Sequence, residues 1–114
     1  MEPTTIRPMA IADARAVAVL AQQAGYRTTG DEIARRHAAV MSLPHSMLYV
    51  AHAADDIIGW AHVHGIFDLL SDSYAAVLGL GVRADLRGRG VGRALIDECR
   101  RWAHANGFPD LRLP

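Results

Sequence analysis

A single cysteine, Cys99, leaves no way to form an internal disulfide. Aromatic residues are sparse, at 6% of 114, and neither sign of charge is in excess, with twelve basic side chains balancing twelve acidic ones. That balance removes the net field that would draw nucleic acid or an anionic membrane to the chain. No run approaches the roughly 20 consecutive apolar residues needed to span a bilayer. The start, Met1 to Ile11, lacks the cationic stretch and apolar core of a secretory signal. Repeats and low-complexity linkers are missing as well. His52 stands apart from His62 and His64, and no histidine and carboxylate set has the spacing of metal ligands. These absences predict a cytoplasmic protein with no metal, and with neither nucleic acid nor membrane as partner.

What is present points to one small α/β domain. Of the residues 51% are hydrophobic and 21% charged, the balance of a chain able to bury a core. Thr4 to Met9 predicts a short first strand, at an edge where Pro8 is tolerated. Asp13 is a candidate cap for a helix from Ala14 to Ala24, whose Val17, Leu20, Ala21 and Ala24 share a stripe before Gly25 stops it. Thr29 and Glu32 have capping-box spacing, so a second helix begins near Gly30, turns Ile33, His37, Val40 and Met41 inward, and ends at Leu43-Pro44. The period then changes. Met47 to Ala53 and Ile57 to Phe67 are strand-like, and the polar Ala54-Asp55-Asp56 between them predicts an antiparallel hairpin. Tyr49 and Trp60 on these strands read as core residues. Leu69 to Ser73 is a loop, and Tyr74 to Val82 is so continuously apolar that it is expected in the middle of a sheet. Gly79 and Gly81 within it need a reason, such as a bulge or the close approach of a ligand.

After Arg83-Ala84-Asp85-Leu86 comes Arg87-Gly88-Arg89-Gly90-Val91-Gly92, and then a helix to about Asn106. Val91, Leu95, Cys99 and Trp102 form its inner stripe with Ala94 and Ala103, which makes Cys99 a packed thiol, and Gly107 ends it. Glycines at 88, 90 and 92 admit backbone angles closed to other residues and remove side chains that would hold a ligand away from the amides. The helix behind them offers unpaired N–H groups and the positive end of its dipole. Strand, glycine turn and helix together predict an anion-binding cradle over residues 87 to 92, suited to a diphosphate, with Arg87, Arg89 and Arg93 at the rim. A P-loop is excluded because Gly92 is followed by Arg93-Ala94 instead of Lys-Ser/Thr. A dinucleotide-binding turn would sit in an early strand-helix-strand unit, whereas this one follows a hairpin.

In this order of elements the sequence resembles the GNAT superfamily of N-acetyltransferases, which transfer acyl groups from acyl-coenzyme A to amines. The family signature after the fourth strand is Gln/Arg-x-x-Gly-x-Gly/Ala, and Arg87, Gly90 and Gly92 match it position by position. The likeness extends to Val77-Leu78-Gly79-Leu80-Gly81-Val82 before it and Ala94-Leu95-Ile96 after it. The resemblance implies an α/β (α+β) fold, a mixed central sheet flanked by helices with a splayed fourth strand. It also implies acetyl-coenzyme A as cofactor, its diphosphate on the amides of Arg87, Gly88, Arg89, Gly90, Val91 and Gly92, with Arg93 beside them. The edge of the fourth strand at Leu80, Gly81 and Val82 would pair with the pantetheine arm as an added strand does. An amide near Leu80 or Gly81 would face the thioester carbonyl. The resemblance covers the N-terminal two-thirds of such a domain. A fourth helix, which in many relatives carries a tyrosine that protonates the coenzyme A sulfur, and two strands are expected beyond Pro114.

Direct acyl transfer needs an unprotonated amine, a polarised carbonyl and a proton for the departing thiolate. Several family members place a glutamate on the fourth strand, and the matching residue is Ala76. His62 and His64, two apart on the preceding strand and so on one side of it, are candidates for proton relay or acceptor binding, with a plain polar strand face as the alternative. Asp68 and Asp72 are candidates for holding a cationic amine, or else ordinary turn residues. The expected activity is acetyl transfer to a primary amine of a small molecule or peptide. The missing glutamate keeps open an acyl-coenzyme A-binding module without catalysis. A homodimer is one way to cover the open sheet edge.

Overall fold

The strand-forming runs assemble into one five-stranded sheet in the computed structural model, which describes residues 3–114. Its strands are β1 (Thr4–Pro8), β2 (Ser46–Ala53), β3 (Asp56–Ile66), β4 (Tyr74–Val82) and β5 (Leu111–Arg112), neighbours in that order. The first four pair antiparallel, and β5 joins β4 in parallel. A parallel neighbour needs a long crossover, which α3 (Val91–Ala105) supplies. The helices α1 (Ala14–Gln23) and α2 (Gly30–Met41) fill the connection between β1 and β2. The sheet is mixed and flanked by helices, as the resemblance implies.

Alternation along β3 divides its side chains between two layers. Ala61 and Val63 face α3, where Leu95, Cys99, Trp102 and Phe108 complete a buried cluster. Contact there is close: a Cβ on Gly59 would come within 3.0 Å of Leu95, and one on Gly65 within 2.1 Å of the Phe108 ring. Trp60, on the other face, packs against a smaller cluster of Met9, Ala14, Val17, Leu48 and Val50 beneath α1 and α2.

Local signals largely explain the helix ends. The Thr29 hydroxyl accepts the Glu32 N–H at 3.2 Å, and Gly25 and Gly107 take left-handed angles behind α1 and α3. Asp13 differs from expectation. Its carboxylate accepts two hydrogen bonds from Arg7 and one from the Ala10 N–H, so it ties β1 to the turn before α1 and does not cap the helix. The Arg7 guanidinium accordingly holds the Asp13 carboxyl below its ordinary range. The inner face of α2 turns Ile33, His37 and Val40 toward the sheet as expected, though none is fully buried, and only Met41 departs from it, being exposed. The middle of the sheet is β3; β4 is flanked on both sides only at Ala75 and Ala76. Its apolar run continues beyond β5 as a strand splayed from its neighbour.

Candidate active site

Gly90 caps α3 at φ +88°, and Gly88 stands at +81°, both in the left-handed region that strains a side chain. A Cβ at either position would meet nothing within 4 Å, so backbone angle and not packing requires these glycines. The Ala94 N–H donates to Gly90 O at 3.0 Å and is the first of the α3 ladder; among the described residues, no amide from 87 to 93 has a backbone acceptor. These donors lie at the positive end of a 15-residue helix. Arg87, Arg89 and Arg93 are all exposed around them.

The second component is the open part of β4. From Val77 to Val82 no strand lies along the side away from β3 among the described residues. Successive amides of a strand point to opposite edges, so one of the neighbours Leu80 and Gly81 directs its N–H toward the open side. Between His62 and Val63 the β3–β4 register shifts, leaving Leu78 as the extra residue of a bulge. Leu78 and Leu80 are both exposed, at 55% and 37%.

A cavity of about 480 Å³ opens beside this bulge, between the α1–α2 layer and the sheet. Trp60 lies across its floor. A Cβ on Gly79 or Gly81 would fall 2.5 or 2.4 Å from the indole, so the ring itself demands both glycines. Tyr49 is a core residue as expected, but Trp60 is only partly buried and lines the cavity. Its Nε1–H is buried with no partner among the described residues.

The two candidate histidines separate in role. His62 lines the cavity; its partial burial, and then the neighbouring His64, lower its pKa and favour the neutral imidazole. His64 is hydrogen-bonded through Nδ1 to the Ser46 hydroxyl, and it lies outside the cavity lining. Asp68 accepts the Leu70 N–H at 3.1 Å and the Ser71 hydroxyl at 3.2 Å, so it organises its own loop; neither it nor Asp72 lines the cavity. Ala76 pairs with His64 and presents only a methyl group at this position of the fourth strand. No group of three or more histidine, cysteine, aspartate or glutamate side chains suits a metal ion among the described residues. No described helix is long and apolar enough to cross a membrane.

Sequence reasoning missed the opposite wall. Tyr26, Arg27 and Thr28, from the α1–α2 loop, line the cavity with Arg36 and His37 of α2. His37 Nε2–H donates to Met9 O at 2.8 Å and fixes α2 over the end of β1. Arg36 pairs with Glu32 at 2.9 Å. No sequence periodicity marks Arg27; its position in a loop was the only signal.

Comparison with known proteins agrees with this architecture. No curated protein matches the chain at a significant level by sequence. Among solved structures, a GNAT family acetyltransferase from Staphylococcus aureus superposes with a TM-score of 0.86 at 16% identity, over 100% of this chain and 87% of that one. Glucosamine-6-phosphate N-acetyltransferase from Arabidopsis thaliana gives 0.87 at 18% identity, over 99% and 82%. An aminoglycoside N-acetyltransferase solved with coenzyme A gives 0.85 at 20% identity, over 100% and 78%. Identities this low speak for the fold alone. The sequence profile described as the acetyltransferase (GNAT) family, however, matches residues 14–113, nearly the whole chain, and with it the glycine turn, the splayed β4 and the α3 crossover establish that this chain belongs to that family.

Proposed function

We propose that the protein is an N-acetyltransferase that moves an acetyl group from acetyl-coenzyme A to a primary amine of a small molecule or peptide by direct attack. The observation that carries this reading is the run of amides at residues 87–93 that have no backbone acceptor among the described residues, continued by a stretch of β4 with no described strand along its outer side. The site suits the cofactor in both respects: amides at a helix start neutralise a diphosphate, and an open strand edge satisfies the amides of pantetheine. Arg87, Gly88, Arg89, Gly90, Val91, Gly92 and Arg93 would hold the diphosphate, and Leu80, Gly81 and Val82 the pantetheine arm. When bound, acetyl-coenzyme A supplies an acyl carbon activated as a thioester and a thiolate leaving group.

This chain's residues then do three things. The outward amide of Leu80 or Gly81 donates to the carbonyl oxygen as negative charge builds on it. The cavity brings the amine to the same strand, so that the N–C bond forms as the C–S bond breaks. His62, neutral and in the cavity wall, accepts the proton the amine loses. His64 lies behind it, favouring the neutral form of His62.

Calorimetric titration with acetyl-coenzyme A, followed by thiol release across an amine panel, tests the reading. Binding with turnover is the expected result. Binding without turnover of any amine would favour an acyl-coenzyme A-binding module, a reading consistent with Ala76 at the glutamate position. No binding at all would remove both.

A further inference from the structure

The cavity lining has a one-sided charge. Arg27 and Arg36 belong to it, and no aspartate or glutamate does. Arg36 is already matched by Glu32, whereas Arg27 has no carboxylate within 4.0 Å among the described residues. An ammonium group entering this space would lose water and meet guanidinium charge with no carboxylate to compensate. An anionic group would instead find a guanidinium whose fork of donors is unused.

The rest of the lining selects for shape. Val17, Ile33, Val40, Leu48 and Leu78 surround the Trp60 floor. A flat ring gains stacking there beyond its buried area. At about 480 Å³ the space is of a size that holds small molecules.

We propose that the acceptor is a small primary amine with an apolar, ring-sized body and an anionic group, seated with the ring on Trp60 and the anion at Arg27. This rests on the acetyl-transfer reading above and deepens it by naming the acceptor class. Polycationic amines are excluded from the class because each further ammonium adds an uncompensated charge.

The test is thiol release at saturating acetyl-coenzyme A with para-aminomethylbenzoate, its phosphonate counterpart, benzylamine and spermidine. The carboxylate and phosphonate arms separate the two sources of negative charge. At least one anionic amine is expected to exceed benzylamine in kcat/KM by about 10-fold, the scale of a charge-assisted hydrogen bond, with spermidine slowest. Arg27→Gln should bring the ratio of anionic to neutral amine to within about twofold of one, and Arg27→Lys should restore part of it. A structural lesion would lower both amines together and leave the ratio standing, which would overturn the role of Arg27. Equal or better turnover of benzylamine or spermidine, or no transfer to either anionic amine, would overturn the acceptor class. Calorimetry separates the two levels: acetyl-coenzyme A binding with the wrong preference sinks only the acceptor class, and absent binding sinks the acetyl-transfer reading beneath it.

Discussion

On the α3 side of the sheet, Ala61, Val63 and Ala75 are buried against Leu95, Cys99 and Phe108, whereas on the other side Trp60 and His62 border a cavity of about 480 Å³. Trp60, Ala61, His62 and Val63 are consecutive in β3, so the contrast arises from what covers each face and not from the strand. α3 contributes five buried side chains; α2 contributes none. A closely packed face can fix the backbone of β3 and β4 while the loosely covered face is left free to admit a ligand. Stability and recognition are thereby divided between alternate residues of the same strands.

That division can be broken most severely from the packed side. Phe108→Ala removes a ring that fills the space over Gly65, and a loss of about 3–5 kcal/mol is expected in chemical denaturation. A loss below about 1 kcal/mol would mean that the two faces are not so different. From the open side, His62→Asn should lower kcat/KM by about 10²-fold or more, as for loss of a general base. The working form of His62 is neutral, and burial and then His64 hold its pKa below the ordinary imidazole range, so wild-type kcat/KM should show, beside the limb set by protonation of the amine itself, an acidic limb at lower pH than a free imidazole would give. The variant should lose this acidic limb; its persistence would assign the limb to another group.

Cys99 tests the packed face without a mutation. Burial, and to a lesser degree Glu98, push its thiol up to about 11. Its reaction with a disulfide reagent at pH 8 should be on the order of 10²-fold slower in the folded than in the unfolded protein. Comparable rates would show that α3 opens readily. The smallest effect belongs to Arg36, whose exposed pair with Glu32 spans one turn of α2. Arg36→Ala should change stability by less than about 0.5 kcal/mol in thermal unfolding, since such pairs contribute little.

The sequence patterns carried the packed side further than the open side for a physical reason. The α3 stripe of Val91, Leu95, Cys99, Trp102 and Ala103 is periodic, and all five residues are buried. The glycine turn was legible because left-handed angles select for glycine locally, as Gly88 and Gly90 illustrate. The cavity depends instead on residues far apart in sequence. Gly79 and Gly81 were recognised as needing an explanation, but the indole of Trp60 that supplies it comes from the neighbouring strand. His62 and His64 share a strand face, and only the fold tells them apart, His62 lining the cavity and His64 bonding to the Ser46 hydroxyl. Arg27 had no pattern to reveal it, because a loop residue reaches a site through the tertiary fold.

The central claim is that main-chain donors at the start of α3, together with the open edge of β4, form one binding surface for coenzyme A. Backbone amide resonances followed during titration with coenzyme A test it residue by residue. The account predicts the largest changes at residues 87–93 and 79–82, with little at Leu95 and Cys99 of the packed face. Unchanged resonances in both segments under saturating coenzyme A, or changes centred elsewhere, would contradict it.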